Sequence, residues 1–414
     1  MMLKRLFGSL VAVTLSASIL YAAEWTVFHG QKGDNKSPDT GLLKEWPEGG
    51  PTLLWTADFI GLGLSGVTVA DGRIFTSGNI QRDGQYVSMV FCLDLDGKII
   101  WQRDNGPAHT GNPYPGTRGT PTIDGDYVYD VSVLGQVTRF DAATGEEIWS
   151  RNPMADYEGR RSRHFPGHSI TVDGDNLILL VAGPNTLVVG LNKMTGETVW
   201  RSAPAGTEHG YSTPYFFEFE GIRVVAVVSN SNFVGLDPAT GRTLFSIPWQ
   251  GPQHTPMPIY RDGHLFLTTD AVAARGFRLT KNDDGTITLT ESWVEPRFAG
   301  LHHGFILIGD YVYGTTRNGE WGAINFLTGE IRYLARPVGE RGSIHYADGL
   351  LYVLAENTAT VILWKPDPEE FIEVSRFELP NDAQGPAWAL PVVIGGRLYL
   401  RHAQFLYCYD VKAQ

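Results

Sequence analysis

The phrase Asp141-Ala-Ala-Thr-Gly-Glu-Glu-Ile-Trp149 recurs along this chain. Asn192-Lys-Met-Thr-Gly-Glu-Thr-Val-Trp200, Asp237-Pro-Ala-Thr-Gly-Arg-Thr-Leu-Phe245 and Asn325-Phe-Leu-Thr-Gly-Glu-Ile-Arg-Tyr333 are further copies. Asp94-Leu-Asp-Gly-Lys-Ile-Ile-Trp101 is a shortened one. Recurrence at this spacing means one supersecondary unit copied many times. Asp or Asn at the turn can accept from backbone amides two residues on, and Gly supplies a positive φ. Each copy is therefore a hairpin turn, and the ring that follows is a packing plug against a neighbouring unit.

A second marker precedes each copy. It is a pair of short β segments joined at Asp71-Gly72, Asp124-Gly125, Asp173-Gly174, Asp262-Gly263, Gly309-Asp310, Asp348-Gly349 and Gly395-Gly396, with a weaker version at Glu220-Gly221. Such pairs signal tight hairpins. Their steps run from about 40 to a little over 50 residues, the length of a four-stranded propeller blade. The expected fold is all-β: an eight-bladed β-propeller of four-stranded antiparallel blades. Its last unit, after Gly396, lacks a fourth strand, and residues 51–57, ending near Trp55, form a strand with no first three before it. That strand is expected to complete the last blade and so remove an exposed sheet edge.

These repeats resemble the quinoprotein-type (pyrroloquinoline quinone-like) β-propeller family, with its aspartate, threonine-glycine and terminal tryptophan signature. The family includes quinone-dependent alcohol dehydrogenases. It also includes non-catalytic relatives such as the propeller lipoprotein of the outer-membrane β-barrel assembly machinery. The dehydrogenases hold Ca²⁺ and stack the quinone between a Trp and a ring of two adjacent bonded cysteines. This chain has no Cys-Cys pair. Trp321 and Trp388 are read first as blade packing, and Glu356-Asn357 as a solvated turn, rather than as a quinone floor and calcium ligands. No cofactor is expected, with pyrroloquinoline quinone and Ca²⁺ as the alternative.

Residues 1–23 read as a signal peptide: Lys4 and Arg5, an apolar run over 6–20, then small residues at Ala22 and Ala23. Residues 24–50 read as a lead-in and 51–414 as the propeller. No cysteine lies near the cut for lipid attachment, and no later stretch is apolar enough to span a bilayer. An exported protein, periplasmic or extracellular, is expected. The net charge of −12 argues against a nucleic-acid partner. Cys92 and Cys408 occupy equivalent places in the first and last blades and are expected to be buried free thiols, too far apart to bridge.

Segments leading into the first strand of each blade lie at the rim of the channel in this fold. Here they carry Arg118, His164, His168, His209, His254, His302, His303, Arg341 and Trp388, with His345 near. Three readings compete. The first is a hydrated polar lining with hydrogen-bonded histidines. The second is a funnel for an anionic or sugar-like ligand, with Arg118 and Arg341 as charged donors and Trp388 as a flat surface. The third is a transition-metal site using His302 or His303 with His254 or His209. No nucleophile elbow, zinc-protease helix or phosphate loop is present. The favoured function is an exported, non-catalytic binding or scaffold protein of the cell envelope, monomeric, whose partner is an envelope protein or a small-molecule or carbohydrate ligand. The alternatives are a quinone-dependent alcohol or sugar dehydrogenase and a metal- or carbohydrate-dependent enzyme using the His-rich funnel.

Overall fold

The computed structural model describes residues 23–109, 116–160, 167–206, 208–249, 255–269, 273–300, 304–380, 382–383 and 385–413. They form eight four-stranded antiparallel sheets, each joined in strand order. Blades 1 to 7 span 68–107, 122–151, 171–201, 215–248, 259–295, 305–335 and 342–378. Blade 8 joins 392–410 to the strand Thr52–Ala57. That strand pairs with Phe405–Asp410, Thr52 opposite Asp410 and Ala57 opposite Leu406, so the ring closes as the sequence implies. No helix among the described residues is long and apolar enough to cross a membrane.

The hairpin between the first two strands of each blade has a two-residue turn. At Asp71-Gly72, Glu220-Gly221, Asp262-Gly263, Asp348-Gly349 and Gly395-Gly396 both central residues have positive φ, as a type I′ turn requires. In blades 2, 3 and 6 only the glycine is left-handed, and it comes first: Gly125, Gly174 and Gly309. The turns at 124 and 173 are therefore Gly-Asp turns, displaced by one residue from the Asp-Gly reading.

The recurrent phrase builds the joint between blades. Asp141 Oδ1 accepts from the amides of Ala143 and Thr144 at 3.0 and 2.8 Å. Asn192 and Asn325 do the same in their copies. The terminal Trp of one blade then reaches the turn of the next. Trp55, Trp101, Trp149, Trp200 and Trp293 donate Nε1–H to the carbonyls of Leu95, Ala142, Lys193, Pro238 and Phe326, at 2.8–3.2 Å. Each acceptor directly follows the Asp or Asn of its turn, so the rings are plugs with a polar latch. The turn glycine must lack a side chain for this to happen. A Cβ on Gly145, where φ is +70°, would lie 2.6 Å from the Trp101 ring.

The inner strands are zipped by hydroxyl groups. Thr120, Ser169 and Thr213 accept from the amides of Gly66, Thr120 and Ser169 at 2.9–3.0 Å. Thr68, Thr122 and Thr171 donate to the carbonyls of Pro121, Ile170 and Pro214 at 2.7–3.1 Å. Blades 1 to 4 are thus laced together at the channel wall, where backbone groups between separate sheets would otherwise lack partners.

The lead-in crosses the channel. Trp25 exchanges two backbone hydrogen bonds of 2.8 Å with Val69 of blade 1, and Ile123 of blade 2 donates to Thr26 at 2.8 Å. The Trp25 ring, 1% exposed, meets His345 of blade 7 edge-on at 5.0 Å. Asn35 and Ser37 bond to blade 7 at Tyr346, and Asp39 accepts from Gly396 of blade 8. His345 belongs to this contact rather than to the rim. Its Nδ1 lies 2.9 Å from Asn35 Oδ1, and its Nε2 takes the amide of Val393 at 3.2 Å. Burial drives its imidazole down to about 3, the backbone bond opposing.

Cys92 and Cys408 are free and buried in the third strands of blades 1 and 8. Burial pushes both thiols up to about 12, which leaves them unreactive as thiolates. The apolar hairpin of blade 4, Tyr215–Phe219 with Ile222–Val228, packs into a core shared with blade 5.

Candidate functional site

The approach segments place the rim residues in two groups. On blades 2 to 4 the structure brings together Arg118, His168 and His209, with Tyr211. Arg118 Nη1 donates to the Gly116 carbonyl at 3.0 Å, and its Cδ lies near Gly167 beside the Tyr211 ring. Burial lowers its guanidinium to about 10, against the opposing pull of Tyr211. His168 and His209, each 1% exposed, stack with ring centres 5.6 Å apart and planes 12° from parallel. Neither nitrogen of His168 hydrogen-bonds to a described group. Burial brings His168 down to about 4. His209 falls to about 3 through burial and then through its neighbour His168, the backbone at Val181 opposing. Both rings are neutral at pH 7.

The second group joins blades 7 and 8. Arg341 holds Glu356 with both arms, Nε to Oε2 at 2.8 Å and Nη2 to Oε1 at 3.1 Å. Glu356 is 5% exposed, so this is a sheltered bidentate pair of nearly cancelled charge. Ala387 donates its amide to the Glu356 carbonyl, and half-buried Trp388 takes a hydrogen bond from Ser343 on its backbone oxygen. Arg341 is thus committed inside the protein. His164, His254, His302 and His303 lie outside the described residues.

The sequence reading missed Glu356 as the partner of Arg341. Their separation of 15 residues spans one hairpin, from the approach to its first strand to the end of its second. That register could have paired them. It also missed the Ser/Thr zip, whose signal is the Thr at equivalent positions 68, 122 and 171.

The residues weighed for a calcium-held quinone do not fit that group. Both Glu356 oxygens face Arg341, and Asn357 gives its amide groups to Glu340 Oε2 at 2.7–2.8 Å. Trp321 is fully buried, bonded through Nε1 to the Glu340 carbonyl and edge-on to Trp364. The two cysteines stand on separate blades. Among the described residues no three His, Cys, Asp or Glu side chains gather as a metal cage. The described part of the rim thus carries two buried neutral imidazoles, a half-buried guanidinium and a half-buried indole.

A family model described as outer membrane protein assembly factor BamB matches residues 42–163 and 134–371. No curated protein sequence matches the chain. Among solved structures, BamB from Moraxella catarrhalis is similar at 17% identity and a TM-score of 0.61, over 88% of this chain and 98% of that one. Quinohemoprotein alcohol dehydrogenase ADHIIG from Pseudomonas putida HK5 is similar at 14% identity and a TM-score of 0.65, over 95% of this chain and 81% of that one. The quinohemoprotein alcohol dehydrogenase of Comamonas testosteroni gives 12% and 0.62 over the same shares. At these identities the likeness is one of fold.

Proposed function

This chain belongs to the PQQ-like β-propeller repeat family whose model is described as outer membrane protein assembly factor BamB, and from that premise we propose that it is an exported, non-catalytic binding propeller of the cell envelope. One observation carries the reading: the charged pair described at the rim, Arg341 with Glu356, is closed on itself. A general base or metal ligand needs an available lone pair at the reacting centre. A closed pair instead rigidifies a surface. The buried, neutral His168–His209 stack backs the rim of blades 2 to 4, where Arg118 is the partly exposed polar group. A propeller rim of this kind suits a peptide segment or an envelope ligand, because the approach segments of eight blades converge on one axis in this fold.

The test is site-directed photo-crosslinking in the cells that make the protein. A crosslinker replacing Arg118 is expected to trap one discrete envelope partner. The same group replacing exposed Ile148, on an outer strand, is not. Equal trapping from both positions, or calcium- and quinone-dependent oxidation of an alcohol by the purified protein, would overturn the proposal.

A further inference from the structure

A cleft of about 210 Å³ opens between the lead-in and blades 4 to 6, away from the paired rim residues. At roughly 30 Å³ per water it holds about seven, the room for a small organic molecule. Most of its wall is apolar or aromatic, including Tyr215, Met257, Ile259, Tyr260, Phe305 and Leu307. The lead-in contributes two opposite charges, Asp34 and Lys36, both half-buried.

These two charges do not close on one another. Among the described residues neither joins an ion pair within 4.0 Å, and neither side chain makes a hydrogen bond. The ammonium of Lys36 stands over the Tyr346 ring, 6.0 Å from its centre. Arg261, the other cation on the wall, is committed to the Gly309 carbonyl and to Asp310. The backbone holding Lys36 is fixed on both sides. Asn35 accepts from the Tyr346 amide at 3.1 Å, and Ser37 donates to the Tyr346 carbonyl at 2.8 Å. Lys36 therefore cannot swing out to Asp34 by a shift of the chain. Burial, its largest influence, pulls its amine below the usual lysine range, with Asp34 opposing. An unpaired half-buried charge gains from a partner of opposite sign.

The backbone carries a second mark of a built site. His29 and Asn35, which bracket this loop, both take positive φ, 65° and 57°, and Gly30 and Gly33 between them do too. Left-handed non-glycine residues cost energy and persist where the surroundings demand them. Here they turn the loop so that residues 29, 33, 34 and 36 face one cleft.

We propose that this cleft binds an apolar α-amino acid as its zwitterion: Lys36 takes the carboxylate, Asp34 takes the ammonium, and the wall from Met257 to Leu307 takes the side chain. A simple carboxylate would leave Asp34 without a partner, and a simple amine would leave Lys36 without one. The proposal stands independently of the rim function.

Calorimetric titration of the full protein with L-phenylalanine, 3-phenylpropionate and phenethylamine tests it. Phenylalanine is expected to bind at least ten-fold more tightly than either analogue. Lys36→Met should remove the preference over phenethylamine, and Asp34→Asn the preference over 3-phenylpropionate. Lys36→Arg should restore part of the first. Circular dichroism of each variant checks that it is folded. Binding of no ligand, equal binding of all three, or variants that weaken all three alike would overturn the assignment.

Discussion

Asp130 and His168 are both 1% exposed, yet they make the protein sensitive to pH in opposite senses. Asp130 takes a 2.6 Å hydrogen bond from Asn105 Nδ2, but burial dominates and pushes its carboxyl up to about 7. A raised carboxyl favours folding fully below its unfolded value of 3.8, and that contribution is lost as pH rises through about 7. His168 is lowered from 6.5 to about 4, so its contribution is present above 6.5 and is lost as pH falls toward 4. Asp130→Asn should therefore stabilise the protein at pH 8 by ~2–4 kcal/mol and leave pH 4 nearly unchanged. His168→Phe should stabilise it at pH 4.5 and leave pH 8 nearly unchanged. Urea unfolding at the three pH values reads both. A stability profile of the same shape in wild type and both variants would refute these assignments. The residue scale is also where sequence reading reached least far. Arg118, His168 and His209, far apart in the chain, lie near one another because equivalent positions of a ring share one neighbourhood. Sequence periodicity could not show that Arg341 faces inward to Glu356, since side-chain direction depends on the neighbouring hairpin.

At the scale of the element, the unit is the turn with the ring it receives. Gly72 and Gly145 both hold positive φ, 70° in each, but a Cβ on Gly72 meets nothing within 4 Å. Gly72→Ala should cost only the backbone strain, about 1 kcal/mol. Gly145→Ala must also displace the Trp101 ring from its latch on Ala142, and should cost ~3 kcal/mol or more. Chemical denaturation compares the two directly, and equal costs would contradict the latch. These turns were legible in the sequence because Asp, Asn and Gly act there through local backbone chemistry. The displaced turns at Gly125 and Gly174 were less so, since Asp-Gly-Asp offers both registers and strand pairing chooses. The latch weakens where its residues change. Blade 4 ends in Phe245, which has no N–H to give, and blade 7 has Pro366 and Pro368 where blades 2, 3, 4 and 6 place their Asp/Asn-x-x-Thr-Gly turn.

At the scale of the whole molecule, one seam closes the ring. Blade 8 meets blade 1 across Arg401, a guanidinium 1% exposed with no carboxylate partner among the described residues. It donates to Ser65 Oγ at 2.7 Å, Thr76 Oγ1 at 3.1 Å, and the carbonyls of Gly61, Ser77 and Ala403. Burial drags it down to about 9. Arg401→Met would leave several buried acceptors without donors. It should lower unfolding free energy by ~3 kcal/mol and expose the seam to protease before the other blades. Uniform protease resistance in this variant would show that the seam is no weaker than the rest. The closing strand was legible, as a lone strand near one end matches a missing strand near the other. The lead-in's path was not, because nothing in Trp25 or Asn35 names a partner more than 300 residues away at His345. That path has a consequence in time. Seven blades can form from neighbouring residues as the chain grows, each by local hairpins. The eighth and its seam with blade 1 must wait for residues 392–410, and of the lead-in's contacts only those to blade 8, such as Asp39 with Gly396, wait with them, so ring closure is expected to be a late, long-range step of folding. Until then the chain is an open arc with an uncovered sheet face at each end, and its exposure to misassembly lasts as long as that wait.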